Sequence, residues 1–358
     1  MTHVVGWDLG GANVKVACVE DGFVARVAQI PCPLLADRGK FDAAVEAALR
    51  LSPSPALHAI TMTGELSDVF NHRQEGVAYL VELMQTVTAG QMLRIYAGDS
   101  GFLEPEDAKH RWKEVASANW HATAAFTARL HADALLVDAG TTTTDLIPIK
   151  GGAVASRGYT DGERLSEGEL VYSGVVRTPV MAIAQTAPFG GRMQRIAAER
   201  FTTMADVWRL TGDLPDDVDA YPAADQRGKS QAESAARLAR MLGRDASEAE
   251  LADWVALARH FAGCQLALIE EAARAVSVRE GLQAEAAVIG AGCGRFVARH
   301  LAERLGRLYL DFAEIIDAAP EAREAAARAA PAAAAALLAS KELSEQQRAP
   351  LSPVVLGH

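Results

Sequence analysis

The chain has little cysteine, few aromatic residues and no long apolar run. Only 4 of its 358 residues are cysteine, and 6% are aromatic. Cys18, Cys32, Cys264 and Cys293 are scattered. No pair has the spacing of zinc ligands, and nothing suggests a disulfide framework. Cys18 and Cys264 read as small buried hydrophobes. No apolar stretch is long enough to span a bilayer, and no signal peptide is recognisable, so the expectation is a cytoplasmic protein with no membrane partner. Cations are also in deficit, with 35 Lys and Arg against 46 Asp and Glu and a net charge of -11. This balance disfavours non-specific binding to nucleic acid. It leaves anionic small molecules open, because they answer to local charge.

At 358 residues the chain is long enough for two domains with sizeable cores, and half of it is hydrophobic. Its organising stretch is residues 4–19, VVGWDLGGANVKVACV. It reads as strand, glycine turn, strand, and Gly10 and Gly11 there permit positive φ and close approach of a ligand. Asp8 enters the turn, and Asn13 and Lys15 leave it. The carboxylate suits a metal ion, directly or through water, and the amides and Lys15 suit phosphate oxygens. An ordinary hairpin with a polar tip has the same pattern.

The pattern returns in residues 135–149, LLVDAGTTTTDLIPI. An apolar strand again ends in an aspartate, Asp138. Gly140, Thr141, Thr142, Thr143 and Asp145 follow. Two such halves, far apart in the chain, predict two similar lobes facing across a cleft. A third stretch, residues 286–306, runs from a short strand through Gly290, Gly292 and Gly294 into an amphipathic helix. Glycines between a strand and a helix N-terminus suit an anion or nucleotide. The last glycine of the dinucleotide fingerprint and its acidic partner are missing, which excludes NAD.

In this order the three stretches resemble the two phosphate loops and the adenosine loop of the actin, Hsp70 and sugar-kinase superfamily. DAGTTTTDL is similar to the second phosphate loop of the hydantoinase and oxoprolinase family. With TMTGELSDVF, YAGDSGF, ASANWHATA and VYSGVVRTPV, nearly all of residues 1–340 resemble a smaller branch of that family, found in tetrahydromethanopterin-linked one-carbon metabolism. The resemblance implies an α/β fold of the two-lobed actin-like ATPase type, with a duplicated sheet-and-helix core and a central cleft. The expected division is a first lobe over 1–130, a second over 131–320, a closing helix over 321–345 returning to the first lobe, and a tail over 346–358. The activity it implies is that of a methylofuran-biosynthesis synthase. An aminomethylfuran-methyl diphosphate condenses with the phenol of a glutamyl-linked tyramine or tyrosine, and pyrophosphate leaves, with Mg²⁺ as cofactor. The implied partners are a small-molecule diphosphate and a phenolic acceptor, with a homodimer allowed. An ATP-dependent small-molecule kinase and a non-catalytic nucleotide-binding regulator remain as alternatives.

Asp8 and Asp138 are the expected metal ligands. Gly10, Gly11, Asn13, Lys15, Gly140, Thr141, Thr142 and Thr143 are the expected diphosphate grip. Residues 58–63 read as a strand leading to Glu65, at the end where α/β sheets collect ligand-binding residues. Glu65 suits substrate contact or a plain helix start. Asp99 in a tight turn suits a metal or the turn itself. His121, on a helix over 117–130, suits a base, a phosphate ligand or core packing. Glu65, Asp145 and His121 are the candidate bases for a phenol. Arg177 suits a diphosphate fork or a surface ion pair. Lys229, on a basic loop, suits a diphosphate or a solvated helix start. Residues 157–169 read as a loop, 201–210 as a strand or short helix, and 248–278 as a long helix or helix pair. Pro331 is expected to interrupt the alanine-rich closing segment.

Overall fold

The structure is a computed structural model that describes residues 3–11, 13–32, 38–51, 57–88 and 90–348. The described residues fall into two compact units. The first runs to Phe126 and resumes at Ile316, and the second is Thr127–Ile315.

The first unit is built on a six-stranded sheet. Its strands are β1 (His3–Leu9), β2 (Asn13–Glu20), β3 (Phe23–Pro31), β4 (Leu57–Met62), β5 (Met92–Tyr96) and β6 (Phe102–Leu103), in the order β3-β2-β1-β4-β5-β6. Strand β1 is antiparallel to β2 and parallel to β4, and β4 is parallel to β5. The loops after β1, β4 and β5 therefore share one edge of the sheet. Every β1 residue after His3 is buried, as expected for a central strand covered on both faces. On one face, Val5, Trp7 and Leu9 join a core with Phe41 and Val45 of helix Arg38–Leu51 and with Leu80 and Met84 of helix Arg73–Val87. On the other lies helix Ala330–Arg348. A Cβ on Gly6 would overlap the Ala332 carbonyl and lie 2.8 Å from the Ala336 Cβ. A helix this close to a strand has no room for larger side chains, which explains the buried alanines of residues 332–336.

The second unit repeats the plan. Its strands are β7 (Ala134–Ala139), β8 (Thr144–Lys150), β9 (Ala153–Val154), β10 (Leu170–Val171), the separate hairpin β11 (Thr186–Phe189) and β12 (Arg192–Arg195), then β13 (Ala287–Ala291) and β14 (Tyr309–Asp311). The main sheet runs β10-β8-β7-β13-β14, with β9 also on β8. Strand β7 is antiparallel to β8 and parallel to β13, and β13 is parallel to β14. The run β8-β7-β13-β14 thus copies β2-β1-β4-β5 in order and direction. Helix Leu251–Arg279 supplies Trp254, Phe261 and Ile269 to the core, which also takes Trp208 and Leu301.

Several local expectations change. Residues 157–169 contain a helix, Asp161–Ser166, because Thr160 and Glu163 form a reciprocal capping box. Residues 201–210 give helix Met204–Thr211 and no strand. The alanine-rich segment is interrupted beside Pro331 as expected: helix Arg323–Arg328 ends before Ala329, and Pro331, whose missing N–H has no helical partner to lose there, sits in the first turn of a second helix, Ala330–Arg348. That helix continues through Arg348, into the expected tail, and the rest of that tail lies outside the described residues. Among the described residues, no helix is long and apolar enough to cross a membrane.

Candidate functional site

In the first unit, Asp8 is the penultimate residue of β1, opposite Lys15 of β2. Lys15 Nζ lies 3.4 Å from Asp8 Oδ2. Burial raises the Asp8 pKa, and Lys15 offsets part of that rise. Asp8 Oδ1 is buried and has no hydrogen-bond partner among the described residues. A buried acceptor left this way costs about 1–3 kcal/mol unless something fills it. The turn is closed by the Gly10 amide donating to the Asn13 carbonyl at 3.0 Å. Neither Gly10 nor Gly11 takes positive φ. They are needed for space, since a Cβ on Gly10 would lie 2.9 Å from the Asn13 carbonyl oxygen and one on Gly11 2.8 Å from Ser67 Oγ.

Ser67 follows the short turn Gly64–Leu66 at the end of β4, and that turn carries Glu65. Glu65 is 1% exposed. Its Oε1 accepts from the Ser117 amide at 2.8 Å and the Ser117 hydroxyl at 3.1 Å. Its Oε2 has no partner among the described residues. Burial pushes its pKa up to about 7, and the Ser117 hydrogen bonds act in the opposite direction. Gly76 packs so tightly that an added Cβ would lie 2.6 Å from Glu65 Cα. Ser117 itself holds φ at 56°, in the left-handed region, at a cost of about 1–3 kcal/mol. After β5, Asp99 accepts from His121 Nε2 at 3.0 Å. The other ring nitrogen, Nδ1, lies 2.8 Å from the Tyr96 hydroxyl. The Asp99 turn thus does more than close the backbone, because its exposed carboxylate is hydrogen-bonded to a buried imidazole.

The second unit presents a matching edge. Asp138 nears the end of β7, opposite Asp145 of β8. The Gly140 amide donates to the Thr143 carbonyl at 2.8 Å, the same closure as in the first turn. Among the described residues the amides of Thr141, Thr142 and Thr143 make no backbone hydrogen bond, and the Thr142 nitrogen lies 2.4 Å from where a Cβ on Gly174 would stand. The position matching Lys15 holds Asp145, whose Oδ1 is 2.6 Å from Nη1 of the buried Arg164. Burial raises the Asp145 pKa, and Arg164 opposes the rise.

The glycines of the third stretch lie directly on this loop. A Cβ on Gly292, at φ 81°, would overlap Asp138 Oδ1, and one on Gly294 would lie 2.9 Å from the Ala139 Cβ. The Gly294 amide donates to the Ala139 carbonyl at 2.8 Å. Gly290 makes room for the Tyr309 ring instead, 2.8 Å from where its Cβ would stand. Arg177 joins the loop through its amide, which donates to the Thr141 carbonyl at 2.9 Å. Its guanidinium lies 3.4 Å from the Thr142 hydroxyl and 5.6 Å from the centre of the Tyr221 ring. Lys229 faces the Asp219 carbonyl at 2.6 Å and the Asp219 carboxylate at 3.4 Å, within a charge network that includes Arg209.

Magnesium is bound through one or two carboxylates together with substrate phosphates. The buried, unpartnered Asp8 Oδ1 suits that role, and Asp138 suits it in the second unit. No group of three or more His, Cys, Asp or Glu that could hold a metal occurs among the described residues. Sequence reasoning missed Ser117, Arg164 and Gln265 as partners of these loops. The only signal for Arg164 was an acidic residue on a strand that had to be neutralised somewhere.

Two α/β units with the same strand order, each carrying an Asp-glycine turn, define a protein of the actin, Hsp70 and sugar-kinase fold. A family model described as hydantoinase/oxoprolinase matches residues 57–340, and the chain belongs to that family. It is 30% identical over 243 residues to a (4-{4-[2-(gamma-L-glutamylamino)ethyl]phenoxymethyl}furan-2-yl)methanamine synthase of Methanocaldococcus jannaschii, covering 68% of this chain and 72% of that protein. A synthase of the same name from Methanococcus vannielii is 29% identical over 149 residues, covering 42% of this chain and 67% of that one. The nucleotide-free structure of acetone carboxylase aligns over 85% of this chain and 67% of its own, with a TM-score of 0.54 and 10% identity. That likeness bears on the fold alone.

Proposed function

We propose that this protein is a transferase of methylofuran biosynthesis. It condenses an aminomethylfuran-methyl diphosphate with the phenol of a glutamyl-linked tyramine or tyrosine and releases pyrophosphate. The observation that carries this reading is the 30% identity over 243 residues to a synthase whose product is a phenoxymethyl-furan ether. The name of that relative's product contains an aryl ether at an exocyclic furan carbon, which supports the formation of that bond here. A diphosphate is a leaving group suited to that carbon.

The residues assigned to the diphosphate are Gly10, Gly11, Asn13 and Lys15 in the first unit, and Gly140, Thr141, Thr142, Thr143 and Arg177 in the second. Asp8 and Asp138 are assigned to Mg²⁺, which would supply charge neutralisation for the departing pyrophosphate. The bond from carbon to diphosphate oxygen breaks with its electron pair on pyrophosphate. The phenol oxygen bonds to that same exocyclic methylene carbon, and its proton passes to a base. Of the candidates, Asp145 is paired with Arg164, and both His121 nitrogens are engaged. Glu65 keeps one unpartnered oxygen, and a pKa of about 7 suits a group that takes a proton near neutrality.

The runner-up is an ATP-dependent kinase, favoured by Gly292 and Gly294 lying against the Asp138 loop at the start of helix Arg295–Leu305. A thermal-shift comparison separates the two. A ligand that binds only the folded state at about a hundred times its Kd adds roughly 2.7 kcal/mol. A rise with Mg²⁺-pyrophosphate and none with Mg²⁺-ATP is expected. A rise with ATP alone overturns the proposal in favour of the kinase.

A further inference from the structure

The second Asp-glycine loop does not stand alone. The segment Ser173–Arg177 runs against it, with the Val175 amide donating to the Gly140 carbonyl at 3.0 Å and the Val176 and Arg177 amides to the Thr141 carbonyl at 3.2 and 2.9 Å. Contact is so close at Gly174 that an added Cβ would lie 2.5 Å from the Thr141 carbonyl carbon. The Thr144 hydroxyl donates to the Ser173 carbonyl at 2.7 Å, and the Gly174 amide donates to the Thr178 hydroxyl at 2.8 Å.

One buried side chain ties this segment to the helical layer. Gln265 projects from the middle of the long helix Leu251–Arg279 and is 0% exposed. Its Nε2 donates to Ser173 Oγ at 2.8 Å and to the Gly174 carbonyl at 3.0 Å. Its Oε1 accepts from Trp208 Nε1 at 2.7 Å. The orientation of the amide is not arbitrary. An indole N–H only donates and a backbone carbonyl only accepts, so the oxygen must face Trp208 and the nitrogen must face Gly174. A polar side chain inside an otherwise apolar helix face is costly unless each of its groups is paired. Here each is paired, and the pairing points at the loop.

We propose that Gln265 is a positioning residue for phosphate binding: through Ser173 and Gly174 it holds the Gly140–Thr143 loop in the shape in which that loop takes a phosphate. The proposal rests on the reading of that loop as a diphosphate grip, and its first test does not depend on that reading. Gln265→Met keeps the length of the side chain and removes all three hydrogen bonds. Phe261→Leu, one turn earlier on the same helix and also fully buried, removes core packing and leaves the amide alone.

Hydrogen exchange at the Gly140, Val175, Val176 and Arg177 amides reads the clamp directly. These amides are expected to exchange at least about tenfold faster in Gln265→Met, the scale of losing one or two net hydrogen bonds. In Phe261→Leu they are expected to follow only the global loss of stability. Equal acceleration in the two variants, or none in Gln265→Met, overturns the proposal. If Gln265→Met does not fold, Ser173→Ala removes one of the two acceptors and is expected to give a smaller acceleration at the same amides, whereas no change there overturns it. A second arm measures the affinity for Mg²⁺-pyrophosphate, expected to fall about tenfold in Gln265→Met and to stay within twofold in Phe261→Leu. Wild-type protein that does not bind pyrophosphate removes the diphosphate reading, and the exchange data then decide the clamp by themselves.

Discussion

Gly292 and Asp138 are in such close contact that a single methyl group on the glycine would overlap the carboxylate oxygen. The glycine comes from the third sequence stretch and the aspartate from the second, more than a hundred residues apart. A residue without a side chain is needed there for two reasons, the contact itself and a φ of 81°.

Gly292→Ala is therefore expected to displace Asp138 and to strain the backbone. The strain costs about 1–3 kcal/mol, read from denaturant melts. Affinity for Mg²⁺-pyrophosphate falls by more than about tenfold, read by calorimetry. Unchanged affinity with lowered stability would separate Asp138 from the binding role assigned to it.

Glu65 makes stability depend on pH. Its pKa rises from an ordinary 4.5 to about 7 in the folded protein. The folded state therefore holds a proton that the unfolded state has already released. Between pH 4.5 and 7 this group makes stability fall as pH rises, and above that window its effect is constant. The slope approaches about 1.4 kcal/mol per pH unit. Glu65→Gln is expected to remove it, so the stability difference between wild type and variant widens with pH across the window. Parallel curves would contradict the burial of an ionisable Glu65. Catalysis has the opposite sign. A base must be ionised, so turnover is expected to rise through pH 7 in the wild type and to lose that rise in the variant.

Arg164 is 1% exposed and its partner Asp145 is opposite Asp138 across the hairpin. Arg164→Met removes the cation and leaves the partly buried Asp145 carboxylate without it. A loss of about 3–5 kcal/mol is expected, measured by urea denaturation. Arg164→Met combined with Asp145→Leu is expected to recover much of it, because no unpaired charge then remains. A single variant within about 0.5 kcal/mol of wild type would show that the pair is not buried in solution.

Some of this was legible in the sequence because it is local. An apolar run ending in Asp-x-Gly specifies a strand and a turn whatever surrounds it, and two such runs predicted a repeated core. The copied order of β2-β1-β4-β5 and β8-β7-β13-β14 is that repetition. Other features depend on partners far away in the chain. Gly6 carries no turn signal, since its role is to admit the helix at Ala332. Glu65 reads like a helix start, and only the approach of Ser117 and Gly76 turns it into a buried acid. Gln265 sits in an amphipathic stripe that looks like plain core. The glycines at 10 and 11 suggested positive φ, but the close approach of Asn13 and Ser67 is what excludes a side chain there. The helix Asp161–Ser166 was hidden by its glycine and by short spacing, although the Thr160 and Glu163 pair that caps it was present in the sequence.

The central claim is that the Asp-glycine loops serve a diphosphate that leaves as pyrophosphate. It is tested most directly by the products of the first turnover. Purified protein with Mg²⁺, a furanylmethyl diphosphate and a glutamyl-linked phenol is predicted to release one pyrophosphate for each aryl ether formed. No ADP is predicted when ATP replaces the diphosphate. Release of ADP from ATP, with the furanylmethyl diphosphate left intact, would contradict the account.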